Sequence, residues 1–409
     1  MRRLAMLSVL VIAVAQAAGM TAARALARPA PGGAVLAGKP RSSHSAAPGT
    51  QSDFNGDGYD DLAIGVAFED VGTIVDAGAV NVLDGSANGL TSLSNQFLTQ
   101  DTPGIKDQAE TGDQFGTGLA TGDFNGDGFA DLAVGAPFDS VGSVGGAGVV
   151  NVLYGSAAGL SASGNRVFTE NTPGIAGDRA ERNDLFGASL AAGDMNGDGF
   201  ADLAIGIRQE GVGTHASAGA VIVLNGSALG LTTAGSQFWT QDDLAGDGAQ
   251  TGAVFSRGLA TGDFNADGYA DLASGAWNYD VGTVVDAGAL NVIYGSPAGL
   301  TAAGNQFITE GANIEASAWF GKPITTGDFN GDGFADMAVS AHQHSVGSVT
   351  TAGEVDVFLG SSGGVHTVAD QAWTEDSSCG DGAEKGDHFG RTTGAADFNG
   401  DGYADLASG

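Results

Sequence analysis

The chain has 409 residues, 70 of them glycine, with 48 acidic and 15 basic residues and a formal net charge of −33. All the acidic residues lie from Asp53 onward, against only nine basic ones there, so that region carries −39 and would repel the phosphates of a nucleic acid, which excludes that class of partner. Cys379 is the single cysteine, which rules out a disulfide framework, and the density of glycine disfavours long helices.

In chain order, Arg2 and Arg3 precede the apolar run LAMLSVLVIAVAQAAG, and small-residue patterns follow at Ala15-Gln16-Ala17 and Ala25-Leu26-Ala27. This predicts a secretory signal peptide over residues 1–27, because the apolar run falls short of the roughly 20 residues a membrane span needs and no second one follows. The twin arginine lacks the rest of a twin-arginine signal, so ordinary secretion is expected, and signal and composition together suggest a bacterial origin. Residues 28–52 are dominated by Pro, Gly, Ala and Ser and predict a flexible linker that cannot bury enough apolar surface to fold. The mature chain is therefore expected outside the cell, with no membrane span.

From Asp53 to Gly409 the sequence repeats itself about every 70 residues. DFNGDGYDDLAIG at Asp53 returns in variants at Asp123, Asp194, Asp263, Asp328 and Asp397. AGAVNVLDGSANGL at Ala77 returns four times, as does NQFLTQ at Asn95. Phe-Gly stands ahead of the acidic cluster at Phe115, Phe186, Phe320 and Phe389, with Phe255-Ser256 as an imperfect copy. Each unit thus supplies four short segments rich in β-branched and aromatic residues, bounded by Gly, Ser, Asn and Asp, which predicts four strands. Four-stranded units in radial series make an all-β propeller whose blades cover each other's faces; a β-solenoid is the alternative, but its repeats are usually much shorter. The first copy lacks a Phe-Gly strand and the last stops just after its acidic loop, so 21 strands are expected. Either the reading frame is a fragment of a longer propeller, or the terminal pieces complement each other in a smaller ring.

The acidic loop has the chemistry of a cation site. Asp53, Asn55 and Asp57 occupy loop positions 1, 3 and 5, Gly58 at position 6 permits a sharp reversal, and the carbonyl of Tyr59 at position 7 and the carboxylate of Asp61 at position 9 complete an all-oxygen set. Hard oxygens in flexible geometry suit Ca²⁺, whereas Mg²⁺ demands a strict octahedron and softer metals call for His or Cys. The same ligand types recur as Asp123, Asn125, Asp127, Phe129 and Asp131; as Asp194, Asn196, Asp198, Phe200 and Asp202; as Asp263, Asn265, Asp267, Tyr269 and Asp271; as Asp328, Asn330, Asp332, Phe334 and Asp336; and as Asp397, Asn399, Asp401, Tyr403 and Asp405. Position 12, which is a bidentate Glu in an EF-hand, is here Ile64, Val134, Ile205, Ser274, Val339 or Ser408, inside the next strand. Six copies argue against a merely Asx-rich turn. Four firm calcium sites and two weaker terminal ones are expected. Among the Asp, Asn and Gly positions of the loop only position 4 departs, with Ala266 in the fourth copy.

The combination of Phe-Gly, the DxNxDGxxD loop and Gly-Ala-Pro, literal at Gly135 to Pro137, resembles the FG-GAP repeat of integrin α-subunit propellers and their bacterial relatives. The resemblance covers Asp53 to Gly409. It implies that the loop joins the innermost strand of a blade to the next strand and binds Ca²⁺ on one face. The other copies of Gly-Ala-Pro read GVA, GIR, GAW and SAH.

Catalytic residues are not apparent. The one GxSxG match, Gly360 to Gly364, falls in a turn and lacks a strand-to-helix elbow. His342 and His344 have the spacing of same-face strand residues and could hold a transition metal, though loop surface is the commoner reading. Two functions follow: an extracellular recognition or adhesion module for a protein or glycan, with calcium structural, or the non-catalytic propeller of a secreted hydrolase, a class the resemblance also includes. In a four-stranded blade the second-to-third and fourth-to-first connections share the face opposite the calcium loops. Arg208, Trp277 and Tyr279 lie on those connections and are the candidate ligand contacts.

Overall fold

A computed structural model describes residues 52–246, 248–378 and 382–409. The predicted signal peptide, the linker up to residue 51 and Cys379 lie outside the described residues. The described chain is all-β, with one four-residue α-helix at Glu375–Ser378 and two short 3₁₀ turns.

The strands number 21, as expected, and fall into six antiparallel meanders in chain order. The first sheet holds β1 (Leu62–Val66), β2 (Ala79–Asp84) and β3 (Thr91–Leu98). The second holds β4 (Gly118–Gly122), β5 (Asp131–Ala136), β6 (Val149–Tyr154) and β7 (Ser161–Phe168). The third holds β8 (Phe186–Gly193), β9 (Asp202–Ile207), β10 (Ala220–Asn225) and β11 (Thr232–Trp239). The fourth holds β12 (Phe255–Gly262), β13 (Asp271–Ala276), β14 (Ala289–Tyr294) and β15 (Thr301–Ile308). The fifth holds β16 (Ile324–Gly327), β17 (Asp336–Ala341), β18 (Glu354–Phe358) and β19 (Gln371–Trp373), and the sixth β20 (Thr393–Ala396) and β21 (Asp405–Ser408). These sheets are the blades of a β-propeller, their first strands lying side by side: β4 against β8, β8 against β12, β12 against β16 and β16 against β20.

Successive side chains of a strand point to opposite faces, and here both faces are covered. Leu132 and Val134 of β5 join the apolar cluster shared with Phe54, Val80 and Val82 of the first blade, whereas Ala133 between them joins the cluster shared with Leu203 and Ile205 of the third. The core is therefore a series of inter-blade layers, and the middle strands read as continuous apolar runs.

Two glycines fix how closely blades approach. A Cβ on Gly135, the glycine of Gly-Ala-Pro, would lie 2.0 Å from the carbonyl oxygen of Gly187, the glycine of the next Phe-Gly pair. Where one partner grows, the other stays small: Ser256 faces Gly206, and Ser340 faces Gly390. The departures from Phe-Gly and Gly-Ala-Pro are thus paired, and the contact survives them.

Candidate functional site

Each acidic loop after the first connects the first strand of its blade to the second, with the position-9 aspartates Asp131, Asp202, Asp271, Asp336 and Asp405 opening β5, β9, β13, β17 and β21. The loops are built by their own side chains. In the second copy Asp123 accepts hydrogen bonds from the N–H groups of Gly126 (2.6 Å), Asp127 (3.2 Å) and Gly128 (2.9 Å). Asn125 Oδ1 accepts from the Asp127 N–H at 2.8 Å, and Asp127 Oδ1 from the Phe129 N–H at 3.0 Å. Asp131 spans the loop, its Oδ2 accepting from the Phe124 N–H and its Oδ1 from the Gly155 N–H, each at 2.9 Å. Gly155 belongs to the third-to-fourth-strand turn, so that turn shares the loop's face.

A carboxylate buried among other carboxylates needs a counter-charge. Burial pushes Asp131 up to about 8, with Asp123 and Asp127 adding to the rise and the Gly155 and Phe124 N–H groups opposing it. The same causes bring Asp202 and Asp271 to about 7 and Asp61 and Asp336 to about 6. The donor set is all oxygen, and in this loop Asp123 Oδ2 and both oxygens of Asp127 and of Asp131 each accept a single hydrogen bond and keep a lone pair, so the residues present fit a hard divalent cation.

The loops are also tied to one another, which sequence reasoning missed. The position-1 carbonyl of each loop accepts from the position-8 N–H of the next: Asp53 from Ala130 at 3.0 Å, Asp123 from Ala201 at 2.9 Å, Asp194 from Ala270 at 2.8 Å, Asp263 from Ala335 and Asp328 from Ala404 at 2.9 Å. The position-7 ring lies on the position-4 glycine of the preceding loop, so that a Cβ on Gly126 would sit 2.5 Å from Phe200 Cε1. Position 8 is alanine in copies two to six and Asp60 only in the first, a pattern that could have revealed the packing. The terminal loops differ from each other: Phe54 is 0% exposed under the second blade, whereas its counterpart Phe398 is 52% exposed. The first loop is therefore covered at Phe54 by the following blade, whereas the last is open at Phe398.

On the opposite face the second-to-third connections bond to the fourth-to-first connections, through Phe138 N–H to Asp113 O (3.4 Å), Gln209 N–H to Asp184 O (3.0 Å) and Gln343 N–H to Ala318 O (3.3 Å). There the Arg257 guanidinium lies 4.3 Å from the Trp277 ring centroid, Trp277 stacks on Trp319 at 4.7 Å, and Trp319 meets His342 at 5.7 Å. Arg208, Arg257 and Lys322 are half-buried in the same region. Burial lowers all three, Arg257 to about 9 with Arg208 adding, and Lys322 well below its usual value with both arginines adding. Among the described residues every side-chain ion pair within 4.0 Å uses a histidine, so none of these cations has a carboxylate at that distance.

Two of the three candidate contacts, Arg208 and Trp277, thus come together, but Tyr279 does not. It is 0% exposed, packed edge-on to Phe307 at 5.4 Å inside the layer between third and fourth blades, because its side chain points between the blades where that of Trp277 points along the face. His342 and His344 also part company: His342 Nδ1 is 3.3 Å from Lys322 O, while His344 Nδ1 is 3.1 Å from Glu310 Oε1. They do not form one metal site. Groups of three carboxylates with oxygens within 4.8 Å of one another occur at Glu110, Asp113 and Asp139 and at Glu170, Asp184 and Glu210, all on this same face and none anticipated.

The FG-GAP repeat family matches residues 50–83, 115–153, 186–224, 321–358 and 389–409. The fourth copy, with Ser256 and Ala266, lies outside those ranges. Integrin alpha-PS2 of Drosophila melanogaster is 30% identical over 267 residues, 63% of this chain and 17% of that protein. Phosphatidylinositol-glycan-specific phospholipase D of Bos taurus is 35% identical over 159 residues, 38% of this chain and 18% of that protein. The matched part thus spans less than a fifth of either relative. Among solved structures, rhamnogalacturonan lyase YesW overlays with a TM-score of 0.36 and 12% identity, over 81% of this chain and 63% of that one, too loose a likeness to argue from. No helix among the described residues is long and apolar enough to cross a membrane.

Proposed function

From the FG-GAP repeats that match in this chain we propose that it is a secreted recognition module whose acidic loops bind Ca²⁺ and whose opposite face takes an extracellular protein or glycan bearing an anionic group. Calcium is structural in this reading. The ion would sit among the carboxylates at positions 1, 5 and 9, the position-3 amide and the position-7 carbonyl, and would neutralise the buried position-9 aspartates. The similarity to integrin alpha-PS2 supports an extracellular, protein-binding role.

The observation that carries the ligand assignment is the group of half-buried cations Arg208, Arg257 and Lys322 beside Trp277 and Trp319, without carboxylate partners, in a region whose net charge is −39. A rigid aromatic surface with unpaired guanidinium groups suits an anionic ligand with an apolar or ring face. The test is a screen of immobilised acidic and neutral glycans and extracellular proteins. Arg257→Ala, Arg208→Ala and Trp277→Ala should each weaken the binding found by tenfold or more, without a comparable shift in the calcium-loaded melt. Binding that survives all three but is lost on changing the exposed side chains of the loop face would refute the choice of face. A second reading, the non-catalytic propeller of a secreted hydrolase, is favoured by the similarity to the phospholipase D; it shares the calcium loops and differs in what the module accompanies.

A further inference from the structure

The face opposite the loops has a repeated polar contact between blades, and its chemistry changes at one interface. The residue two positions after the outer strand meets a residue of the next blade's second-to-third connection. The pairs are Gln100 with Asp139, Glu170 with Glu210 and Glu310 with His344; Gln241 and Tyr279 hold the equivalent positions between the third and fourth blades. A third position, two residues before the Phe of Phe-Gly, holds Asp113, Asp184, Ala253 and Ala318 at the same four interfaces.

Where one acid stands in the pair, a donor answers it. Gln100 Nε2 donates to Asp139 Oδ2 at 2.7 Å, and His344 Nδ1 lies 3.1 Å from Glu310 Oε1. Between the second and third blades the pair and the third position are all carboxylates. Glu170, Asp184 and Glu210 are 3%, 3% and 2% exposed, and each offers an oxygen within 4.8 Å of the other two. Asp184 Oδ2 is engaged by the Glu181 N–H, but Glu170 Oε2 and Glu210 Oε2 are buried without a hydrogen-bond partner. Two unpartnered buried oxygens cost far more than a dry apolar contact, and charging them costs more again. Burial holds both glutamates above the usual carboxylate range, with Asp178 and Asp184 adding to the rise. Asp178 and Glu181 are exposed beside the cluster and supply an acidic path to solvent.

We infer that Glu170, Asp184 and Glu210 form a divalent-cation site for Ca²⁺ between the second and third blades, on the face away from the acidic loops. Oxygens up to 4.8 Å apart can share one ion at the 2.3–2.6 Å that Ca²⁺ takes, and three carboxylates without nitrogen or sulfur exclude a softer metal. The ion does at this interface what the Gln100 amide and the His344 ring do at theirs, and fastens one blade to the next.

Glu170→Gln copies the glutamine that the chain itself uses at position 100, so it places a donor against Glu210 without a change of shape. Calcium bound per chain is counted by native mass spectrometry and by equilibrium dialysis for the wild type, Glu170→Gln, Glu210→Gln and the loop variant Asp198→Asn. Both glutamate variants should hold one calcium fewer than the wild type. In EDTA, Glu170→Gln should melt at or above the wild type, and in calcium it should gain less than the wild type does. An unchanged calcium count in both glutamate variants, the result a proton shared between Glu170 and Asp184 would give, overturns the site. The loops are read separately: Asp198→Asn losing an ion while Glu170→Gln loses none sinks this inference alone, and the reverse sinks the loop in the third blade alone.

Discussion

Gly126→Ala isolates the packing of one acidic loop on the next. Gly126 has φ +72°, in the left-handed region, and a Cβ there would meet Phe200 Cε1 at 2.5 Å and Cδ1 at 2.9 Å. The backbone term costs about 1–2 kcal/mol and displacing a packed ring about 1–3 more, so a loss of roughly 2–5 kcal/mol is expected. Gly128, two residues on, has φ +89° but nothing within 4 Å, so Gly128→Ala should cost only the first term, about 1–2 kcal/mol. Ala266 supplies the reverse case: it stands at position 4 of the fourth loop with φ +54°, and Ala266→Gly should recover about 1 kcal/mol. The assay is urea unfolding in saturating calcium, followed by tryptophan fluorescence. Equal losses in Gly126→Ala and Gly128→Ala would refute the argument, because the ring of the next loop would then contribute nothing.

Three further outcomes follow from the buried charges and the layered core. Carboxylates raised by burial, Asp131 to about 8 and Asp202 and Asp271 to about 7, favour folding below their unfolded value near 4 and lose that contribution as pH rises through the folded one. Melts in EDTA should therefore fall between pH 5 and 8, and saturating calcium should reverse the trend because protons and metal compete for the same oxygens. His344, raised to about 9 chiefly by its hydrogen bond to Glu310, contributes about 3 kcal/mol that is fully present below about 6.5 and lost as pH climbs through 9. His344→Gln should be most destabilising near pH 6 and indistinguishable from the wild type at pH 10 in denaturant titrations. Phe124→Ala, which removes a fully buried ring between the second and third blades, should cost about 3–5 kcal/mol, whereas Phe398→Ala at the exposed last loop should cost under 1 in the same titrations.

Much of the fold could be read in the sequence, because each landmark recurs in fixed order. Periodicity gave the four-strand unit, and in the second to fifth blades the second strand opens at the last aspartate of the acidic loop, Asp131, Asp202, Asp271 and Asp336. What local pattern could not give is contact between units 65 to 71 residues apart. The Phe200 ring on Gly126 and the Ala201 N–H bonded to Asp123 belong to neighbouring repeats, and only the geometry brings them together. The same limit hid the fate of Tyr279, two residues from Trp277 and on the same connection, since the turn sends one side chain into the layer between blades and the other along the face. It also hid the Glu170 cluster, whose members lie on three separate segments. The cover on Phe54 was hidden for a related reason: it comes from the following blade, so a missing preceding strand does not expose that ring.

The calcium dependence of the fold is tested most directly by the thermal melt of the chain in saturating calcium and in EDTA at pH 7.5, with magnesium as a control. On the proposed reading, at a free concentration one hundred times the dissociation constant each loop would add about 2.7 kcal/mol, and the carbonyl ties between adjacent loops would let several act together. Calcium should raise the melt by well over ten degrees, and magnesium at the same concentration should raise it far less. Coincident melts in calcium and in EDTA would contradict the account.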